Sequence, residues 1–447
     1  MPASQWLANA QIRREDFSHQ QGAYNPFMPF AKSSRRRFLT RAAAFTIIPS
    51  HVLARPGHPG ANDRIQVGII GTGNRGNLLI DQLPAPGQLV AASDCFLARC
   101  EQAATKRKAT WDVYQDYRKI LDRKDIDAVI VATPDHDRVL VCIHACQAGK
   151  DIYAEKPLTL YIGEGRELVK AVRKYKRILQ VGTQQRSMEM DQNACALVRN
   201  GGLGKIKLVQ GVNYPSSAPI PALPDDPMPD KLNWDVWLGQ APMRAYSKKL
   251  HTSWMSWVDY AGGEMTNWGA HGLDMIQCAL GMDRTGPVEL FPVADGPAGA
   301  VGFRYANGVT VHLELAPKGD LMGGGRFIGE KGKIDIWRNN FKIDAPGVEL
   351  GLPPQEEIDK WHDSRALWQA QYHMKYWLDC IPTRKEPNAD VEIGHRSASL
   401  SHLANITRRL NRKLEWDPAK ERFPNDVEAN AAVHRLRRKG YELPKHV

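Results

Sequence analysis

Three groups of residues in this chain have the types and spacing to do chemistry together. The first is Gly71-x-Gly73-x-x-Gly76, with Asn74 and Arg75 inside it, directly after the β-branched run Ile65–Ile70. A strand, a tight turn and a helix start in that order make a phosphate cradle. The glycines let the backbone approach a pyrophosphate, and free N–H groups at the helix N-terminus hold its charge. Asp94 ends the next apolar run, 23 residues after Gly71. An acid there suits a ribose 2′-hydroxyl and repels a 2′-phosphate, so NAD is expected as cofactor rather than NADP. The second group is Glu155-Lys156-Pro157 and the third is Asn267-x-x-x-His271-x-x-Asp274. An ammonium can stabilise an alkoxide as hydride leaves, and an imidazole can take the hydroxyl proton. Positions 267, 271 and 274 share one face if the segment is helical.

These groups need a scaffold, and the alternation of the chain supplies one. The continuous apolar run Asp127–Thr133 reads as a buried parallel strand, followed by Thr133-Pro134-Asp135-His136 and a helix stopped at Gly149. Asp151–Ala154 and Ile178–Gly182 are further strands, with a helix from about Ile162 to Lys174 between them. Gly71, Asp94, Thr133, Glu155 and Gly182 all fall at the carboxyl ends of parallel strands, where open α/β sheets bind ligands. After residue 183 the pattern changes. Short alternating strands are expected at 209–214, 300–305, 309–315, 326–329 and 333–337, with an Asn307-Gly308 hairpin turn. Helices are expected near 364–380 and 391–411. The loop 215–260 is too long for a passive connection and is expected to cover a site. The fold class predicted is α/β: a dinucleotide-binding Rossmann domain (63–182), a substrate-binding α/β domain with a large, mostly antiparallel open sheet (183–405), and a helical C-terminal tail (406–447).

The N-terminus bears on location. Ser34-Arg35-Arg36-Arg37-Phe38-Leu39-Thr40, then a weakly apolar stretch from Ala42 to Ile48 and Val52-Leu53-Ala54, fits a twin-arginine export signal within residues 1–62. Met28 is an alternative start. The stretch is too short and too mildly apolar for a membrane span. Residues 1–64 hold nine Lys/Arg against three Asp/Glu, so over half of the net charge of +11 lies there. What remains is dilute and not interleaved with aromatics, which argues against nucleic acid as a partner. The seven cysteines show no metal-ligand spacing, and no metal is expected.

The motifs GIIGTGNRG, ATPDH, AEKPLT and GGEMTNWGAHGLD, in that order, resemble the glucose–fructose oxidoreductase/inositol dehydrogenase (Gfo/Idh/MocA) family over about residues 63–420. The leader, LNWDVWLG and the ending from Asn388 to Pro418 are similar to its exported branch. The resemblance implies an open C-terminal sheet that mediates homo-oligomers. It places Lys156 between nicotinamide and substrate, and Glu155 on the cofactor ribose. It adds Thr133, Asp135, His136, Arg138 and Gln184 as cofactor contacts, and Gln185, Arg186, Tyr214, Trp254, Asn267 and Asp274 on the substrate side. Trp234, Trp237, Trp257 and Tyr260 join Trp254 as candidates to stack on pyranose faces. Two positions depart from the family pattern. Asn267 stands where aspartate is common, so it adds no charge to raise histidine basicity. Arg138 stands where histidine is common, and suits a carboxylate, a phosphate or a neighbouring acid.

Three functions are consistent with these residues. The first is an exported NAD(P)-dependent oxidoreductase that acts on a sugar with its cofactor retained, since no NAD pool exists outside the cytoplasm. The second is an NAD-dependent glycosidase working by oxidation, elimination and reduction. The third is a non-catalytic sugar-binding module that keeps NAD. The third motif lacks the Tyr-x-x-His form of the family's glycosidases, which favours the first.

Overall fold

The computed structural model describes residues 64–294, 299–318, 321–338, 340–351, 354, 356 and 367–445. The twin-arginine segment lies outside the described residues. The first layer of structure is a βα alternation: β1 (Ile65–Ile70), α1 (Asn74–Gln82), β2 (Gly87–Ser93), α2 (Leu97–Arg107), β3 (Asp112–Tyr114), β4 (Ala128–Val131), α3 (Asp135–Gln147), β5 (Asp151–Ala154), α4 (Ile162–Lys174) and β6 (Leu179–Val181). The six strands are parallel in the order β3-β2-β1-β4-β5-β6. Strand order reverses between β1 and β4, so a crevice opens at the carboxyl ends there. Val129, Ile130 and Val131 are wholly enclosed, as a strand covered on both faces requires, and each such side chain contributes about 1.5–3 kcal/mol. The strand β3 was not foreseen, because three residues carry too short a pattern to read.

The second sheet has eight strands: β7 (Ile206–Val212), β8 (Glu289–Pro292), β9 (Val301–Arg304), β10 (Thr310–Leu315), β11 (Gly325–Gly329), β12 (Gly332–Trp337), β13 (Asn340–Asp344) and β14 (Leu414–Glu415), in the order β13-β12-β11-β7-β10-β9-β8-β14. Only β7 and β10 pair in parallel. Its inner face, with Val209, Phe303, Val311, Phe327 and Ile334, packs in one core with three helices, α5 (Glu189–Arg199), α6 (Gly269–Leu280) and α8 (Val391–Leu410). Alternation decides which side chains face outward: on β12, Ile334 and Ile336 point in, while Lys333 and Asp335 point out.

Two boundaries differ from expectation. The helix α7 (Leu367–Thr383) belongs to the first domain, where Met374, Trp377 and Leu378 share a core with Val67, Ile69, Ile130 and Tyr153. Beyond α8, which runs past 405 to Leu410, the described residues of the tail are not helical except at Val427–Ala431. It returns to the first domain instead. Gly163 donates its N–H to the Val433 carbonyl at 3.0 Å, and Arg435 pairs with the buried Glu164 at 3.1 Å. Sequence periodicity reports burial but not the partner, so neither return was visible. Among the described residues no helix is long and apolar enough to cross a membrane, no acidic, histidine or cysteine cluster could hold a metal, and all seven cysteines are free.

Candidate active site

The phosphate cradle is built by close packing. Gly71 has φ +93°, a conformation that side chains resist, and a Cβ on Gly76 would lie 2.1 Å from the Gly71 carbonyl oxygen. Gly73 has open space around it, so its backbone is approachable from outside. Asp94 sits at the end of β2. Its Oδ2 accepts from the Thr72 backbone N–H at 2.8 Å, and its Oδ1 from the Phe96 N–H at 2.9 Å. The carboxylate is thereby fixed beside the loop.

Arg75 reaches across the crevice from α1 and pairs with Glu155 at 2.7 Å. Gln184 also donates to Glu155 (3.3 Å) and to the Tyr153 hydroxyl (3.1 Å). Burial opposes the charge on Glu155, yet Arg75 and Lys156 hold its pKa below the usual carboxylate range. Lys156 follows on a cis Lys156–Pro157 peptide. Its ammonium donates to the Asn267 side-chain oxygen at 2.7 Å and to the Asn267 carbonyl at 3.1 Å. One lysine therefore ties the end of β5 to the segment that opens α6. Burial pushes its pKa down to about 8, with Glu155 and Asp135 opposing and Arg75 and Arg138 reinforcing.

His271 is buried on the first turn of α6, and its Nδ1 has no hydrogen-bond partner. Burial, then the positive charges of Lys156, Arg338 and Arg75, hold its pKa well below the ordinary histidine value. It is a neutral imidazole at neutral pH. Beside it, the Gly323 N–H donates to the Tyr214 hydroxyl at 3.3 Å, and the Gly323 carbonyl accepts from Gln185 at 2.8 Å. A Cβ on Gly323 would stand 3.4 Å from the His271 Cβ and 3.1 Å from Gln185 Oε1. Lys156, Asn267, His271, Gln185 and Tyr214 thus converge where the two domains meet.

The buried polar atoms left without partners include Thr133 Oγ1, Thr183 Oγ1, Gln185 Oε1 and His271 Nδ1. Buried polar groups are normally satisfied, so these fit a crevice built for a polar ligand. With the Gly71–Gly76 cradle and Asp94, these residues suit a dinucleotide.

Other expected contacts are occupied elsewhere. Arg186 and Asp274 are buried and pair with each other at 2.9 Å, with the part-exposed Asp283 on Arg186 and the buried Ser397 on Asp274. They brace α6 and offer nothing to a substrate. Asn267 serves Lys156 and not His271. Arg138 takes the neighbouring-acid option, pairing with Asp135 at 3.2 Å and donating to the Thr133 carbonyl at 2.5 Å and to the Pro157 carbonyl. Burial raises Asp135 to about 6 even so. His136 turns away, its Nε2 2.7 Å from the Trp237 carbonyl oxygen. The tryptophans of the long loop form a separate small core, with Trp234 stacked on Trp237 at 4.4 Å and Trp254 packed against it, rather than a row of sugar platforms. Three residues were missed: Glu264, which accepts from the Asn267 amide at 3.1 Å; Gly323, whose signal was the Gly323-Gly324-Gly325 run; and Arg338, which lies over the Trp268 ring at 5.4 Å.

Comparison with known proteins agrees with this geometry. Residues 65–183 match the NAD-binding Rossmann fold of an oxidoreductase family, and residues 220–443 match its C-terminal alpha/beta domain. The chain is 21% identical over 387 residues to an uncharacterized oxidoreductase of Synechocystis, covering 79% of this chain and 95% of that one. It is 26% identical over 157 residues to inositol 2-dehydrogenase of Salmonella paratyphi B, covering 34% of this chain and 47% of that enzyme. Among solved structures, levoglucosan dehydrogenase in complex with NADH and levoglucosan superposes with a TM-score of 0.57 at 18% identity, over 79% of this chain and 99% of that one. The WlbA dehydrogenase of Bordetella pertussis, with NADH and UDP-GlcNAcA, gives 0.56 at 18%, with the same coverage. With a parallel six-stranded sheet, a glycine cradle at its first strand and both domains matched, the chain belongs to the Gfo/Idh/MocA oxidoreductase family.

Proposed function

We infer that this protein oxidises and reduces a sugar or sugar derivative, with NAD held in the crevice through the catalytic cycle, after export by the twin-arginine machinery to the periplasm. The observation that carries the reading is the convergence of an ammonium and a neutral imidazole, Lys156 and His271, from two domains at the open end of the Gly71–Gly76 cradle. A nicotinamide, when bound, supplies the hydride acceptor and donor. Lys156, protonated below about pH 8, donates to the carbinol oxygen and stabilises negative charge there. His271, neutral and with a lone pair to spare, takes the hydroxyl proton on oxidation and returns it on reduction. Gln185 and Tyr214 would hold sugar hydroxyls. Gly71, Gly73, Asn74, Arg75 and Gly76 would hold the pyrophosphate, and Asp94 the adenosine ribose, which favours NAD over NADP.

The dehydrogenases named above that carry NADH with a sugar derivative support the substrate class. The outward face of the eight-stranded sheet, with Phe291 between Arg304 and His312, is the surface proposed for a homo-oligomer. The test is turnover of a panel of sugars and glycosides, each alone and with a second sugar as hydride acceptor. Oxidation coupled to reduction of the second sugar is expected. Release of free aglycone without net redox change would assign the chain to the glycosidases, and binding without turnover would leave a sugar-binding module.

A further inference from the structure

The side-chain amide of Asn267 can be placed two ways round, and one of them serves Lys156. An ammonium only donates hydrogen bonds, so Lys156 Nζ requires the oxygen end, which it meets at 2.7 Å. The NH2 end must then find an acceptor, and it meets Glu264 Oε2 at 3.1 Å. A carboxylate only accepts, so it cannot face the oxygen of a flipped amide. Both neighbours of Asn267 therefore enforce the same orientation. Glu264 is half-buried at the start of the short helix 264–267, three residues before Asn267 and on the same face. An aspartate at 267 would accept from Lys156 either way round and need no such partner. Asparagine does.

We propose that Glu264 is a positioning residue: it locks the Asn267 amide and, through it, aims the Lys156 ammonium at the reacting oxygen. The proposal rests on the oxidoreductase reading above. The other groups facing Lys156 are Glu155 and Asp135, which favour its charge, and Arg75, Arg138 and the imidazole of His271, which do not. None of these other groups touches the Asn267 amide, so Glu264 is what holds its NH2 end and keeps its oxygen presented to Lys156.

The test uses the full-length protein and the variants Glu264→Ala and Glu264→Gln. Two readouts are taken: kcat and KM for whichever sugar the wild type oxidises, and the rate of acetylation of Lys156 near neutral pH, followed by peptide mass spectrometry. In Glu264→Ala the NH2 end of the amide loses its acceptor, and the Asn267 side chain is free to swing away from Lys156. A fall in kcat of roughly 10–100-fold with KM little changed is expected, as for a displaced catalytic group, together with faster acetylation of Lys156. Glutamine keeps an oxygen for the Asn267 N–H, so Glu264→Gln should stay close to wild type in both readouts. Wild-type kcat and acetylation in Glu264→Ala would overturn the proposal. Equal impairment of the two variants would also overturn it, by assigning the effect to charge rather than amide orientation. If the wild type oxidises no sugar, the functional reading fails, and the acetylation rates alone still decide whether Glu264 controls Lys156.

Discussion

Replacing Asn267 by aspartate perturbs a contact that joins the end of β5 to the segment opening α6. The oxygen that faces Lys156 Nζ stands at 2.7 Å, and the substitution would give it a negative charge without changing its shape. At an effective dielectric of about 20, unit charges at that separation attract by roughly 6 kcal/mol, which is a ceiling. Opposite charges within ion-pair distance shift a pKa by about one to three units in practice. Glu264, 3.1 Å from the same side chain, would then face a like charge, which takes back part of the gain. A rise of about one to two units in the Lys156 pKa is therefore expected, worth about 1.4–3 kcal/mol. The sign follows directly. Lys156 titrates at about 8 because burial disfavours its charge, and a nearby carboxylate restores the charged form. The ammonium would persist to higher pH, and activity that depends on it would lose its alkaline limb later. The assays are the pH dependence of Lys156 acetylation and of kcat/KM, wild type against variant. An unshifted acetylation profile would refute the electrostatic account of Lys156. A shifted profile with slower turnover near neutral pH would show that the neutral amine, not the ammonium, is the working form.

Arg186→Ala should leave the buried Asp274 without its main partner and cost about 3–5 kcal/mol in urea unfolding, with KM unchanged in the folded protein; a normal stability with a raised KM would return Arg186 to the substrate. Gly73→Ala should fold normally, since a Cβ meets nothing within 4 Å, yet bind NAD at least tenfold more weakly by calorimetry because the pyrophosphate can no longer reach the backbone. Gly76→Ala, whose Cβ would meet the Gly71 carbonyl oxygen at 2.1 Å, should lower the thermal midpoint as well as NAD affinity. Arg435→Ala removes a bond to Gln240 at 2.8 Å and one of two arginines on Glu164; a loss of about 1.5–3 kcal/mol in stability is expected with Lys156 reactivity unchanged.

What the sequence made legible was whatever depends on local pattern. The β1–loop–α1 unit, the strand ends bearing Thr133, Glu155 and Gly182, and the Asn307-Gly308 hairpin all follow from periodicity and turn chemistry within a few residues. The helices α7 and α8 were legible as helices, but which sheet α7 covers depends on residues three hundred positions away. The same limit governed the site. Lys156 and His271 could be singled out by type and context, whereas Arg186 and Asp274 looked equally functional until their mutual pairing showed them to be bracing. The tryptophans of the long loop had the right chemistry for sugar, and packing used them for one another. Glu264 was passed over because a lone acid before a helix is ordinary, and its meaning appears only when the Asn267 amide is seen to have two faces.

We propose that a nicotinamide dinucleotide lies along the carboxyl edge of the six-stranded sheet with its reactive end toward Lys156. Titrating NAD into the full-length protein while following acetylation of Lys156 tests it most directly. Saturable binding at one site per chain, weaker binding of NADP, and protection of Lys156 that rises in step with occupancy are expected. Neither dinucleotide binding, or NAD binding that leaves Lys156 as reactive as before, would contradict the account.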